Sequence, residues 1–347
     1  MNNKIIYLDR NENNYGPAPA CLNLLKNIHF TKMSYYSREY TRGIKSILSE
    51  RIAKDFNLLE DRVTLGYGAE DLLKQAIQCY LAKDNKIMIP AYSWWYYKAM
   101  ADEVGGLNVE YPLYPGKDSF HYDIDGMIEL YEKENPTLVF ISTPNNPTGN
   151  SLPLEKINLV LEKMKDTIVV IDEAYAYSGK TNYVEEMINR YPNLLVIRTF
   201  SKYYALAGIR IGFALLGKNI SGFSKFTNRY LGYNRLSEDI ALAALDSPDY
   251  YADISQKLKE DKQIFYNELA KFPGFKVFKS DANFILVEIP GEIKSALKEF
   301  LTKKGMIIKF MNEKNLNTHI RITLGTQEQN RLLISAMKEY VTSAVYA

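Results

Sequence analysis

The sequence predicts an α/β protein, with a mostly parallel sheet in a large domain followed by a smaller α+β domain. Three observations carry that expectation. The runs at 137–141 and 167–171 are apolar after an opening threonine rather than alternating, which is the pattern of strands buried on both faces of a parallel sheet. Both stop abruptly at polar residues, Ser142-Thr143 in one case and Asp172-Glu173 in the other. From about residue 236 the pattern changes to helices and short strands, and 347 residues suffice for one large domain plus a smaller one.

Composition narrows the function classes. Hydrophobic residues at 46% and charged residues at 24% are ordinary for a globular enzyme. A formal net charge of +2 gives no reason to expect nucleic acid or a membrane surface as partner. Cys21 and Cys79 are too few for a disulfide framework, and no metal-ligand spacing is present. The start of the chain carries no apolar signal region, and no apolar run approaches the ~20 residues that span a bilayer. A cytoplasmic protein is the expectation.

In chain order, 8–17 is polar and ends in Gly16-Pro17, so an ordered but irregular arm is expected. Tyr35, Tyr36 and Tyr40 read as packing when taken alone, and Ile44, Ile47, Leu48 and Ile52 follow with helical spacing. A short strand at 63–65 leads through Gly66-Tyr67-Gly68 into a helix over 71–81. The amides of Ala69 and Glu70 at that helix start suit a phosphate. Asp71 complements the helix dipole there. After a strand at 86–90 comes the aromatic cluster Tyr92, Trp94, Trp95, Tyr96 and Tyr97. The buried strand at 137–141 ends in Asn145-Asn146-Pro147-Thr148-Gly149, a turn-forming string. The one at 167–171 ends in Asp172, a carboxylate at the carboxyl end of a parallel strand and so well placed for a ligand in the crevice.

The next strand, 193–198, runs into Ser201-Lys202 on a polar turn, with Arg210 and a strand at 211–216 following. A lysine placed so can form a Schiff base with an aldehyde cofactor, while Ser201 and Arg210 hold that cofactor's phosphate. The string Gly212 to Lys218 imitates a Walker A loop, but Asn219 replaces the required hydroxyl residue and the middle is strand-like. Beyond it, a helix over 255–269, strands at 277, 284–287, 306–308 and 320–323, and a closing helix over 332–341 are expected. His29, His121 and His319 share no metal-like spacing and read as surface or loop residues; no metal site is expected.

Taken together, the Asn-Glu-Asn arm, the Asn-Pro-Thr-Gly loop, the Asp172–Tyr175 string and the Ser201-Lys202…Arg210 turn resemble the fold-type I pyridoxal-phosphate (PLP) aminotransferases, most closely the histidinol-phosphate aminotransferase group. The resemblance runs from Leu8 to about Tyr340. It implies a mostly parallel seven-stranded sheet in the large domain, and it suggests residues 1–30 as an arm crossing the site mouth, 31–235 as the large domain and 236–347 as the small one. By resemblance Lys202 carries PLP and moves the proton, while Asp172 pairs with the pyridinium nitrogen. Asn146 and Tyr175 bond the phenolic oxygen, and Trp94 (or Tyr92, if the register slips) stacks on the ring. Ser201, Arg210, the Ala69 and Glu70 amides and Tyr40 of a second subunit hold the phosphate. Arg321 clamps the substrate carboxylate, a task that suits its planar fork. Lys309 and Asn13 complete the expected substrate contacts.

The implied activity is transfer of an amino group between an amino acid, glutamate by expectation, and a small phosphorylated ketone, in a homodimer with shared sites. The acceptor is imidazoleacetol phosphate or something smaller, such as dihydroxyacetone phosphate. Two features favour the smaller one: Lys309 stands where the group commonly has Arg, and the chain begins almost at the arm. A decarboxylase of phosphoserine or phosphothreonine type would share every PLP contact. A non-catalytic ligand sensor of the same fold would need a DNA-binding module, which is not expected here.

Overall fold

A computed structural model describes residues 5–27, 34–176 and 182–345. The strands within them are β1 (Ile6–Leu8), β2 (Val63–Gly66), β3 (Lys86–Pro90), β4 (Leu107–Tyr111), β5 (Leu113–Pro115), β6 (Phe120–Tyr122), β7 (Leu138–Ser142), β8 (Ile168–Asp172), β9 (Leu194–Thr199), β10 (Gly212–Leu216), β11 (Lys276–Phe278), β12 (Phe284–Glu288), β13 (Met306–Phe310) and β14 (His319–Thr323). Seven of them form one sheet in the order β2-β10-β9-β8-β7-β3-β4, and five form another in the order β1-β13-β14-β12-β11. In the larger sheet only β10 runs antiparallel to its neighbours. The expected α/β class and seven-stranded sheet are present.

The larger sheet is covered on both faces, which is why β7 and β9 are buried at every residue; β7 is apolar up to Ser142, while β9 buries Arg198 against Glu173. The helix Ala69–Tyr80 covers one face with Leu72, Leu73, Ala76 and Ile77, all buried. Full burial of each large apolar side chain contributes roughly 1.5–3 kcal/mol. The helix Ile47–Asp55 starts at Ser46, whose hydroxyl accepts from the amides of Leu48 at 3.0 Å and Ser49 at 3.1 Å. None of the described helices is long and apolar enough to cross a membrane.

Four expectations are corrected. Leu8, the first residue of the segment expected to be irregular, instead ends β1, parallel to β13, while 9–17 holds no helix or strand. Lys309 is not just past its strand but inside β13, directly opposite Arg321 on β14. The closing helix is longer than its apolar pattern, Gln327–Val345. His319 is buried on β14 with its ring stacked on Phe278 at 5.9 Å, and burial holds its pKa below the ordinary value. His121 is exposed on β6, and His29 lies outside the described residues.

Candidate active site

Strand register gathers the expected site residues along one edge. Ser142 is opposite Asp172, and Asp172 is opposite Ile197. Thr199 and Gly66 are both opposite Gly212, where the antiparallel β10 begins. The carboxyl ends of β2, β7, β8 and β9 therefore open on one side, where ligands of open α/β sheets bind.

The turn after β9 carries Ser201 and Lys202. Thr199 Oγ1 accepts from the Ser201 amide at 3.1 Å and donates to its hydroxyl at 2.9 Å, which pins the turn to the strand end. Arg210, left-handed at φ 50°, donates to Ser201 Oγ at 3.4 Å. Its guanidinium lies against the start of the Ala69–Tyr80 helix, where a Cβ on Gly68 (φ +84°) would come within 2.9 Å of Nη2. No side chain caps that helix start, so its amides are free to face an anion. Glu70 and Arg210 are only 3.9 Å apart and both exposed, a pair that contributes little by itself. Ser201, Arg210 and the Ala69 and Glu70 amides thus form one cradle of donors.

Asp172 is 6% exposed, and burial raises its pKa above the ordinary carboxylate value. The Ala174 amide donates to its Oδ1 at 2.9 Å, and the fully buried Tyr97 hydroxyl donates to Oδ2. Tyr97 was not among the expected site residues; the sequence offered it only as one member of the aromatic cluster after β3. Trp94 packs edge-on to Tyr97 at 5.8 Å. The Tyr92 ring instead packs on Phe120, at 5.4 Å.

The arm crosses the mouth, bonded at four successive points. Arg321 Nη2 donates to the Asp9 carbonyl at 2.7 Å, and Lys202 Nζ donates to the Arg10 carbonyl at 3.0 Å. Asn11 Nδ2 donates to the Tyr175 hydroxyl at 3.0 Å, and Asn13 Nδ2 donates to the Tyr203 carbonyl at 3.0 Å. Asn11 is 1% exposed; its amide donates to Thr323 Oγ1 at 2.9 Å, and its carbonyl accepts from Asn283 at 2.9 Å. Asp9 went unread as a site residue because its contact is through a backbone carbonyl, which has no residue signature; Asn11, read only as part of the Asn-Glu-Asn arm, reaches Tyr175 through its side chain. Asn13, expected as a substrate contact, has its side chain bonded to the Tyr203 carbonyl and the Tyr15 amide.

Arg321 is the hub of the opposite wall. Its Nη1 donates to Asn146 Oδ1 at 2.5 Å, its plane lies 5.4 Å from the Phe284 ring, and its Nε is buried with no partner. Burial lowers its pKa. Lys202 Nζ sits 5.6 Å from the Tyr175 ring centre. Lys309 is exposed beside Arg321, on the same face by register. Tyr40 stands apart: it is 72% exposed, and no side-chain bond among the described residues joins it to this site. No group of three or more His, Cys, Asp or Glu among the described residues could hold a metal.

Residues 3–337 match the family described as aminotransferase class I and II. The chain belongs to that family. The histidinol-phosphate aminotransferase of Ruminiclostridium cellulolyticum is 33% identical over 84% of this chain and 80% of its own length. That of Methanococcus aeolicus is 30% identical over 97% of this chain and 90% of its own. The fold is also that of histidinol-phosphate aminotransferase from Sinorhizobium meliloti, crystallised with pyridoxal 5′-phosphate, at TM-score 0.86 and 24% identity over 98% of this chain and 92% of that one.

As a member of this family the chain is an aminotransferase whose cofactor is pyridoxal 5′-phosphate. The residues present fit that group. The cradle closed by Gly68 and Arg210 suits a dianionic phosphate. The buried Asp172 carboxylate lacks a cationic partner among its hydrogen bonds, and a protonated ring nitrogen would supply one. A primary amine, Lys202, belongs to the same edge of the sheet.

Proposed function

We propose that this aminotransferase moves an amino group from glutamate to a small phosphorylated ketone, imidazoleacetol phosphate or a shorter one such as dihydroxyacetone phosphate. The observation that carries the reading is Arg321, whose buried Nε has no partner although its other two nitrogens are held by Asn146 and the Asp9 carbonyl. An anion bonded there recovers the cost of a buried unmade bond, roughly 1–3 kcal/mol. Lys309, one strand away on the same face, adds a second cation, so a carboxylate and a phosphate can be met on one wall. Two relatives at 30% identity or more carry the name histidinol-phosphate aminotransferase, which favours an acceptor of that type.

Bound cofactor would act as an electron sink for the bonds at the substrate's Cα. Each residue then has a task. Ser201, Arg210 and the helix start would anchor the phosphate; Asp172 would hold its negative charge toward the ring nitrogen, steadied by Tyr97 and the Ala174 amide. Asn146 and Tyr175 would orient the phenolic oxygen, and Trp94 would cover the ring. Lys202 Nζ would carry the cofactor at rest and, once released, take the proton from Cα and return it. The arm, laid from Asp9 to Asn13 across the mouth, would keep water out.

A homodimer completes the reading. Tyr40 at 72%, Tyr36 at 69%, Tyr67 at 45% and Tyr230 at 93% exposure leave large rings on the outer surface, where a second copy can cover them and receive Tyr40 at its phosphate. The test is to incubate the purified protein and PLP with glutamate and a panel of phosphorylated ketones, and separately with phosphoserine and phosphothreonine, following 2-oxoglutarate and carbon dioxide. Formation of 2-oxoglutarate with one of the ketones supports the proposal. Release of carbon dioxide from a phosphorylated amino acid, with no 2-oxoglutarate, would turn it into a decarboxylase.

A further inference from the structure

The arm carries a cation that the reading above leaves unused. Arg10 lies between Asp9, whose carbonyl accepts from Arg321, and Asn11, whose amide and carbonyl are bonded to Thr323 and Asn283. Its own carbonyl accepts from Lys202 Nζ at 3.0 Å. The backbone on both sides is therefore fixed, and Arg10 cannot drift from the mouth without breaking those bonds. Its side chain is 81% exposed, and its one ion pair among the described residues is with the neighbouring Asp9, at 3.9 Å. An exposed pair at that distance is weak, so the guanidinium keeps its donors for another anion.

Leu8 is opposite Ile308 and Lys309 is opposite Arg321, so Asp9, the first residue past β1, follows beside Lys309, and Arg10 comes next along the arm. Arg321, buried and short of a partner, is suited to the carboxylate next to the reacting carbon. Lys309 and Arg10 are both exposed, and the Arg10 backbone is held at the mouth by Lys202.

We propose that Arg10 is the specificity residue for a second negative charge on the substrate: a carboxylate or phosphate distal to the group held by Arg321. The inference rests on the aminotransferase site described above. A fork on an anchored arm meets planar or tetrahedral oxyanions with two donors, which an ammonium cannot do. Because the arm is fixed before substrate arrives, little ordering of backbone is left for binding to oppose.

The experiment uses the PLP-loaded enzyme and non-reacting acids. Dissociation constants of glutarate, 3-phosphonopropionate and butyrate are measured by calorimetry for wild type, Arg10→Gln and Arg10→Lys. Loss of a charge-assisted bond predicts that Arg10→Gln weakens one or both dianions about tenfold and butyrate by less than about twofold, with Arg10→Lys in between. The larger of the losses for glutarate and 3-phosphonopropionate identifies the group that Arg10 holds. Equal losses for all three acids, or no loss for either dianion, would overturn the assignment and leave Arg10 a solvated residue of the arm. A wild type that takes no pyridoxyl label on Lys202 after borohydride would bring down the underlying site as well, and is read independently of the binding series.

Discussion

Two residues bear directly on the chemistry. Lys202 is the amine at the edge where Ser201, Arg210 and Tyr175 meet, so borohydride reduction of the PLP-loaded protein followed by peptide mapping is expected to label Lys202. Lys202→Ala should lose that label and all transamination while melting as wild type does without cofactor; a label on another lysine ends the assignment. Burial of the Asp172 carboxylate carries a cost in stability. Its pKa is raised by burial, so between the unfolded value and the folded one the native state binds more protons than the unfolded state. Stability contributed at this position is present at low pH and is lost as pH rises through the folded pKa. Cofactor-free Asp172→Asn should therefore melt at least as high as wild type near neutral pH, with the gap closing on acidification. The same variant with PLP should keep the cofactor and lose most of its turnover, because the ring nitrogen loses its buried anionic partner. A gap that widens on acidification would refute the linkage.

Among the elements, the arm is the one whose value exceeds its size. Three residues of β1 hold its root to β13, and Asn11 ties its middle to β14, β12 and Tyr175. Asn11→Ala removes the side-chain bonds to Tyr175 and Thr323 from a buried position and leaves their partners short. A cost of about 1–3 kcal/mol is expected. Denaturant melts should show it as a lower midpoint. Because the arm carries the carbonyls that receive Lys202 and Arg321, turnover should fall by more than the stability loss explains. Unchanged hydrogen exchange at residues 9–13 in that variant would show that other contacts hold the arm.

At the scale of the whole molecule, the site lacks an inward-facing role for Tyr40, and the outer surface lacks cover for its tyrosines. A second copy would settle both at once. Tyr40→Phe should weaken PLP binding about tenfold to a hundredfold, the worth of one hydrogen bond to a charged phosphate. Mixing Lys202→Ala subunits with Tyr40→Phe subunits then makes hybrids in which one site has both defects and the other has neither. Activity above that of either parent is expected when subunits exchange. No recovery, with exchange demonstrated by mass spectrometry, would put Tyr40 outside any shared site.

The α/β class and most of the proposed site edge were legible in local pattern alone. Strands β7 and β8 are short and covered on both faces, so each is apolar up to its last residue, Ser142 or Asp172, which marks its carboxyl end; β9 instead buries Arg198 against Glu173 before it ends at Thr199. That is why the Asn146 loop, Asp172 and the Ser201-Lys202 turn were legible. Tertiary structure alone decided the rest. The three residues of β1 are too few to show a period, and only pairing with β13, some 300 positions away, makes them a strand. The bond of the Asn11 amide to Thr323 spans 312 positions. The Tyr97 hydroxyl finds Asp172 only because the helix Tyr96–Glu103 packs near the end of β8, and nothing in a row of four aromatics says which one will. Local pattern sets which residues are strands and where they stop; long-range pairing sets which of their neighbours can touch.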